Sequence, residues 1–448
     1  MKDEGFFQPS SFSLHPSEEM GQFTTLILIL LFIAFLLRVD FIFYIIYVCV
    51  GVYAWSRWYT PRALKGLTAG RFFSSHAFWG ETVPVTLRLV NNKRLPMPWL
   101  QVTESLATEL KPGDPVNQVL SLGGRETVEL TYAIKARRRG YYRLGPTRLA
   151  TSDLFGLLPE QQGTVQASFL TVYPRIIPLT RLGLPSRLPF GTIGSRQRLF
   201  EDPARPMGVR DFRSGDSLRQ INWKVSAHTR KLVVKTFQPA ISLETAVLLN
   251  LNADEYERQS RQLYTEWAIE LAASFAAHLE DQRQAVGLMT NGIDPLHELA
   301  DRNSAEFDES SGRLLRRKTA AGQNAATTVP PAIPPHSGRA HLMKILERLA
   351  RIETDRTVAF NQWAPTACLH LSWGVTILAI TPTGNEATCQ MLHRLVRTGF
   401  NPILIAVEPD YNFSQVRERA RRLGFIAYNV TRLRDLGRWR HRPTGQPQ

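Results

Sequence analysis

The chain has 448 residues, 44% of them hydrophobic, which is enough for two or three domains with real cores. Its 54 lysines and arginines against 39 acidic residues leave a formal charge of +15, a balance suited to anionic lipid, an acidic partner or nucleic acid. The arginines are scattered rather than gathered in one basic domain, so nucleic acid is not an expected partner. The three cysteines, Cys49, Cys368 and Cys389, show no CxxC or zinc spacing and fit a reducing cytoplasm.

Residues 1–23 form a tail carrying Asp3, Glu4, Glu18 and Glu19. Thr24 to Leu37 is then almost continuously apolar, Arg38-Val39-Asp40 interrupts, and Phe41 to Trp55 is apolar again. Each half is about 15 residues, or about 22 Å as a helix, against a hydrocarbon core of about 30 Å. One helix through both halves would hold Arg38 and Asp40 near mid-bilayer, which is expensive. A transmembrane helical hairpin over residues 24–56 is therefore expected, with those charges at the far interface and Trp55, Trp58 and Tyr59 as an aromatic belt at the near one. A signal peptide is not expected, because the preceding segment is acidic and lacks a small-residue cleavage site. Arg57, Arg62, Lys65 and Arg71 follow the second run, so the positive-inside rule puts the bulk of the chain in the cytoplasm, anchored to the cell membrane.

Residues 71–175 alternate with period two and are punctuated by Pro96, Pro98, Pro112-Gly113, Gly123-Gly124 and Gly145-Pro146. Val83 to Val90 and Thr127 to Ile134 read as strands. The expectation is an all-β, immunoglobulin-like sandwich or a small barrel. Arg137-Arg138-Arg139 reads as a solvated strand edge, with an anion site as the alternative.

Residues 176–242 read as a linker leading into a polar, aromatic segment. From 243 to 431 the pattern changes: strands at Thr245–Leu251, Ala285–Met289, Val375–Ile380, Pro402–Val407 and Phe425–Val430 alternate with helices at Tyr256–Asp281, His341–Ile352, Glu386–Arg397 and Phe413–Leu423. Such alternation indicates a doubly wound α/β sheet. Residues 292–337, rich in Asn, Ser, Ala and Pro, read as a flexible insertion, and 432–448 as a basic tail.

The most informative stretch is Gly208 to Phe237. Ser214-Gly215-Asp216 is a turn, and Leu232-Val233-Val234 a short strand. Arg210, Arg213, Arg219, Lys224, Arg230 and Lys231 surround Trp223, a composition able to dock carboxylates or phosphates. In this stretch the chain resembles the bacterial family of domain of unknown function 58, with signature G-x-R-E-Y-x-x-G-D-x-x-R-x-I-D-W-K-x-S-A-R. Gly208, Arg210, Gly215, Asp216, Arg219, Ile221, Trp223, Lys224, Ser226 and Ala227 fall in register, while Asp211, Phe212, Asn222 and His228 depart from it. Arg139 to Pro146, Ser152 to Leu157 and Val172 to Arg175 resemble upstream blocks of the family. The resemblance implies a von Willebrand factor A-like domain and a partnership with a MoxR-type AAA+ ATPase that remodels or assembles a client protein.

A von Willebrand-type metal site takes hard oxygen ligands in a D-x-S-x-S run after the first strand. Here the run is Asn250-Leu251-Asn252-Ala253-Asp254, with an amide leading and no serine, and Thr381-Pro382-Thr383-Gly384 after the later strand adds no carboxylate. No metal is expected there; Asp254 rescuing a weak site is the alternative. There is no P-loop and no G-x-S-x-G elbow, His297-Glu298 lacks a second zincin histidine, and Cys389 with His393 lacks a third ligand. Asp216, Ser226 and His228 supply no oxyanion hole. The expectation is a non-enzymatic adaptor without cofactor, with a metal-dependent integrin-type domain and a membrane-bound enzyme using the Arg210–Lys224 cluster as the alternatives. Within the signature, Gly208, Arg210, Asp211, Gly215, Asp216, Arg219, Trp223 and Lys224 carry two compatible readings. Either Trp223 fills a junction between modules, or it presents a docking surface.

Overall fold

The computed structural model describes residues 25, 27–29, 31–33, 40–106, 110, 117–153, 158–179, 201–213, 221–239, 244–298, 306–307, 314–315 and 329–430. The chain divides into two units, Met1–Tyr173 with Asp301–Lys318, and Pro174–Ala300 with Thr319–Gln448. The basic tail, the centre of the signature and most of the insertion lie outside the described residues.

The first unit opens with helix α1, Asp40–Ala63. Among the described residues it holds the one stretch long and apolar enough to cross a membrane, Phe41–Ala63, so one helix stands where two were expected. α1 also runs past Trp55, where the second arm was expected to stop. Ser56, Tyr59, Thr60 and Ala63 recur at helical spacing and are all buried, so packing carries the helix two turns further. The first apolar run is helical at 25, 27–29 and 31–33, and the turn of the expected hairpin falls at undescribed positions.

Ten strands follow: β1 Leu67–Phe72, β2 His76–Ala77, β3 Thr82–Asn91, β4 Met97–Glu104, β5 Asn117–Leu122, β6 Thr127–Lys135, β7 Gly140–Leu144, β8 Thr147–Thr151, β9 Gln161–Val165 and β10 Ser168–Val172. They form sheets ordered β1-β3-β6, β5-β4-β8-β9 and β2-β10-β7. Strand β3 shows why: every second residue from Val83 to Asn91 is buried, the period of a half-covered strand. Val83 and Val85 join one core with Ile134, Tyr142, Leu144 and Leu170. Leu87 and Leu89 join a second with Leu67, Met97, Leu100 and Leu149.

A buried ion pair also belongs to this unit. Arg71 Nη2 lies 2.7 Å from Glu104 Oε1, with both side chains nearly inaccessible. Thr147 Oγ1 donates to Glu104 Oε2 at 2.6 Å and Arg71 Nη1 to the Leu144 carbonyl at 2.8 Å. Burial raises the Glu104 carboxyl above its ordinary range, although Arg71 pulls the other way. Arg71 is thus committed to the core and is not one of the surface charges flanking α1. Arg139 departs from expectation likewise: it is 7% exposed, not solvated.

In the second unit a two-stranded pair, β11 Glu201–Asp211 and β12 Val233–Pro239, encloses the short helix α2, Trp223–Thr229. The stretch read as linker therefore contains a strand. The rest is built on a six-stranded sheet of β13 Thr245–Leu249, β14 Val286–Thr290, β17 Ile333–His336, β18 Thr376–Thr381, β19 Asn401–Ala406 and β20 Ile426–Asn429; the two-residue strands β15 Glu306–Phe307 and β16 Leu314–Leu315 belong to the first unit and pair with each other. The order is β17-β14-β13-β18-β19-β20, parallel except for β17. β13, β14 and β18 are buried at every position, as parallel strands covered on both faces must be. The longer helices described in this unit are α3 Arg261–Asp281, α4 Arg339–Arg351, α5 Phe360–Ala367, α6 Glu386–Arg397 and α7 Phe413–Arg422.

Three of these elements depart from the predicted pattern. α3 begins five residues later than expected, because Tyr256 turns inward and its hydroxyl donates to the Asn250 carbonyl at 2.7 Å. β17 lies inside the stretch read as a flexible insertion. Its backbone approaches β14 so closely that a Cβ on Gly287 would stand 2.7 Å from the Ile333 carbonyl oxygen, which only glycine avoids. α5 was not predicted at all; its Phe360, Trp363 and Ala364 join the core around Leu392 and Leu404.

Candidate functional site

Two polar regions of the second unit were singled out by sequence, and they are built in opposite ways. The first lies at the carboxyl ends of the parallel strands. β14 flanks β13 on one side and β18 on the other, so the winding reverses at β13 and opens the crevice in which α/β sheets hold ligands. Asn250 and Asn252 fall here, as the run after the first strand requires.

Their amides are spent internally. Asn250 Oδ1 accepts from Asn252 N at 3.1 Å and from Asn291 Nδ2 at 3.0 Å, while its Nδ2 donates to Glu255 Oε2 at 2.8 Å. Asn252 Oδ1 accepts from Asp254 N and Thr357 N, both at 3.3 Å, and its Nδ2 donates to Glu255 Oε1 at 3.3 Å. Asn291 closes the network by accepting from Leu251 N at 2.7 Å and donating to the Val358 carbonyl at 3.1 Å. Phe360 N reaches Glu255 Oε1 at 2.7 Å. Asp254 turns outward to Arg356, 3.3 Å away, with both side chains mostly exposed. These residues do not fit a divalent cation: the amide oxygens are saturated, amide N–H donors converge on the one carboxylate among them, and Asp254 faces away.

Sequence reasoning missed Glu255 and Asn291. Glu255 lies one place beyond the metal-motif frame. A signal for Asn291 was available, since Asn250 and Asn291 each directly follow a mostly apolar parallel strand. Nearby, Glu408 accepts from Glu257 N at 3.1 Å, and burial raises its carboxyl above the ordinary range. The Thr381-Gly384 turn is likewise internal, with Thr381 Oγ1 donating to the Thr383 carbonyl at 2.9 Å.

The second region is the signature lobe. β11 and β12 pair antiparallel with Gly208 opposite Thr236, Val209 opposite Lys235, Arg210 opposite Val234 and Asp211 opposite Val233. Phe212 N donates to the Leu232 carbonyl and Asn222 N to the Val233 carbonyl, each at 2.9 Å. Asn222 then caps α2, its Oδ1 accepting from Val225 N at 3.4 Å. Ser226, buried on the inner face of α2, accepts from Val233 N at 2.9 Å and so fastens the helix to β12. This engages Ser226 in a structural bond. Arg230 closes α2 in the left-handed conformation, φ 54°.

Ser226 is the buried residue of α2, and Trp223, Lys224, Ala227 and His228 are exposed. Trp223 is 67% exposed. The same lobe carries exposed Lys224, Arg230, Lys231 and Lys235, with Val209 and Leu232 about half exposed. Arg210 is half-buried and donates to the Asp211 carbonyl at 3.2 Å. Gly215, Asp216 and Arg219 lie outside the described residues. Cys389 and His393 do not share a ligand face: Cys389 Sγ is buried toward the Gly384 carbonyl and His393 Nδ1 meets the Leu423 carbonyl at 2.8 Å. Among the described residues no group of three or more His, Cys, Asp and Glu could hold a metal ion.

The lobe also carries the chain's relationship to known proteins. The model of the family described as "Protein of unknown function DUF58" matches residues 208–306, which begins at the first glycine of the signature. Over this segment, under a quarter of its length, the chain is similar to that family. A curated relative, the uncharacterised protein YeaD of Bacillus subtilis, is 22% identical over 182 residues, 39% of this chain and 45% of its own length, so the chain spans under half of that relative. Among solved structures, the CARDB domain of the PF1109 protein from Pyrococcus furiosus covers 24% of this chain and 91% of its own, at 18% identity and a TM-score of 0.19. The cupredoxin domain of amoB from Nitrosocaldus yellowstonii covers 24% and 87%, at 16% identity and a TM-score of 0.18. Likenesses this slight assign neither fold nor function.

Proposed function

We propose that this protein is a membrane-anchored, non-enzymatic adaptor whose signature lobe docks a MoxR-type AAA+ ATPase acting on a client protein. α1 would tether the chain, and the charges after Trp55 favour a cytoplasmic bulk. The strand order of the second unit supports a von Willebrand factor A-like reading, and the layered sheets of the first an immunoglobulin-like one. The partner is drawn from the family resemblance.

The observation that carries the docking role is Trp223, two-thirds exposed on a helix fastened by Asn222 and Ser226, in a stretch of sequence rich in lysine and arginine. A large aromatic on a rigid support beside cations is the composition of a binding hot spot. Left without a partner it would be an apolar exposure with no packing gain. The integrin-type alternative meets a physical objection, since its leading oxygens are consumed in the Asn250–Asn252–Asn291–Glu255 network.

The test is affinity purification of the tagged, detergent-solubilised chain from its host, with and without a slowly hydrolysed ATP analogue. Retention of a MoxR-type ATPase dependent on nucleotide and on Trp223 supports the reading. Equal retention by Trp223→Ala overturns the lobe's part in it, and no retention of such an ATPase overturns the partnership.

A further inference from the structure

We infer that the first unit rests directly on the bilayer and gathers anionic phospholipid headgroups with a collar of Arg57, Arg62 and Lys65; this rests on the reading of α1 as an anchor. No flexible linker separates helix from domain. Ser56, Tyr59, Thr60 and Ala63 are buried on one face of α1, Tyr59 Oη donates to the Pro96 carbonyl at 2.8 Å, and Ser56 Oγ donates to Asp153 at 3.2 Å. Lys93 Nζ, from the turn after β3, donates to the carbonyls of Arg62 and Ala63 and neutralises the negative end of the helix. Burial lowers the pKa of Lys93 from its ordinary value.

These bonds set a depth. With the last two turns committed to the β unit, the part of α1 free to meet hydrocarbon is Phe41 to Trp55, 15 residues or about 22 Å of helix, against a core of about 30 Å. The shortfall draws the docked end of α1, and the rim of the β unit beside it, into the headgroup layer. The opposite face of those same two turns is what that layer accepts. Trp55 and Trp58 are 57% and 45% exposed with ring centroids 5.4 Å apart, and the Arg62 guanidinium lies 5.4 Å over the Trp58 ring. Arg57, Arg62 and Lys65 are exposed, and none has an ion pair among the described residues. Tryptophan beside basic side chains at a helix exit is the chemistry of an anionic interface.

The experiment reconstitutes the full chain in phosphatidylcholine vesicles containing phosphatidylglycerol, with brominated acyl chains on one lipid or the other, and reads tryptophan quenching. Enrichment of brominated phosphatidylglycerol over its bulk fraction, about threefold or more at low salt and weaker at high salt, is expected. Replacing Arg57, Arg62 and Lys65 with Gln should return the ratio to one while leaving quenching by brominated phosphatidylcholine intact, which shows that α1 still inserts. Replacing Arg339, Arg397 and Arg421 with Gln, three exposed arginines of the second unit, should change nothing. A ratio of one in the unaltered protein, or a ratio unchanged in the collar variant, overturns the collar alone. Release of the chain from vesicles by alkaline carbonate overturns the anchor, and the collar with it.

Discussion

The crevice at the carboxyl ends of β13 and β18 and the lobe around Trp223 hold similar wealth in polar side chains, yet one is turned in and the other out. In the crevice every amide atom of Asn250, Asn252 and Asn291 that is described finds a protein partner. In the lobe one polar residue, Ser226, is buried to hold α2 in place, and Trp223 and its basic neighbours face solvent. A site satisfied by itself stabilises a fold, whereas a site with fixed geometry and unused surface is free to bind. The crevice is where this architecture ordinarily places a ligand, so position in a fold is a weaker guide to function than where the hydrogen bonds go.

The sharpest way to break this contrast is to damage each region and read both stability and binding. Asn291→Ala removes three bonds and strands the Leu251 N–H and the Val358 carbonyl, at a cost of about 3 kcal/mol to the second unit. Denaturant unfolding should show that loss, while the surviving folded protein should bind the proposed ATPase as the unaltered protein does. Trp223→Ala should do the reverse, weakening binding by about 2 kcal/mol, or about 30-fold, with an unchanged unfolding midpoint. If Asn291→Ala abolished binding in folded protein, the crevice would be a site after all.

Smaller effects refine the picture. Ser226→Ala should cost about 1 kcal/mol through the orphaned Val233 N–H and weaken binding only as far as α2 shifts, so its binding loss should fall well short of that of Trp223→Ala. Glu408→Gln tests the rim of the crevice through pH. Burial raises the folded-state pKa of Glu408, so protonation favours the folded form, and that stabilisation is present at low pH and lost as pH rises through the raised value. Gln, a neutral mimic, should therefore raise the melting temperature at neutral pH, with the difference vanishing below the ordinary carboxylate range. A larger difference at acid pH than at neutral pH would contradict it.

Much of this was legible in the sequence because period reports burial. The apolar runs Thr245–Leu251, Val375–Ile380 and Pro402–Val407 became β13, β18 and β19 within a residue or two, and Glu386–Arg397 became α6 with both ends as predicted. The features that escaped depend on contacts distant in the chain. β17 is four residues in a proline-rich stretch and exists because Gly287 lets it approach β14. The continuation of α1 to Ala63 depends on Pro96 and Asp153, 37 and 97 residues from their partners. At the site, the amide for carboxylate exchange at Asn250 was visible, but Glu255 was not, since no motif places it. Composition marked Trp223 and its basic neighbours, but not its exposure, since Trp223 and the buried Ser226 stand three residues apart, a spacing that puts both on one side of a helix.

The most direct measurement replaces Trp223 with the photocrosslinking residue p-benzoylphenylalanine in the full-length chain and illuminates it with the MoxR-type ATPase, with and without nucleotide analogue. The expected result is a covalent adduct to the ATPase that forms with nucleotide and disappears without it. Crosslinks confined to the protein's own chain, in the presence of an ATPase that it otherwise retains, would contradict the claim that the signature lobe is the docking surface.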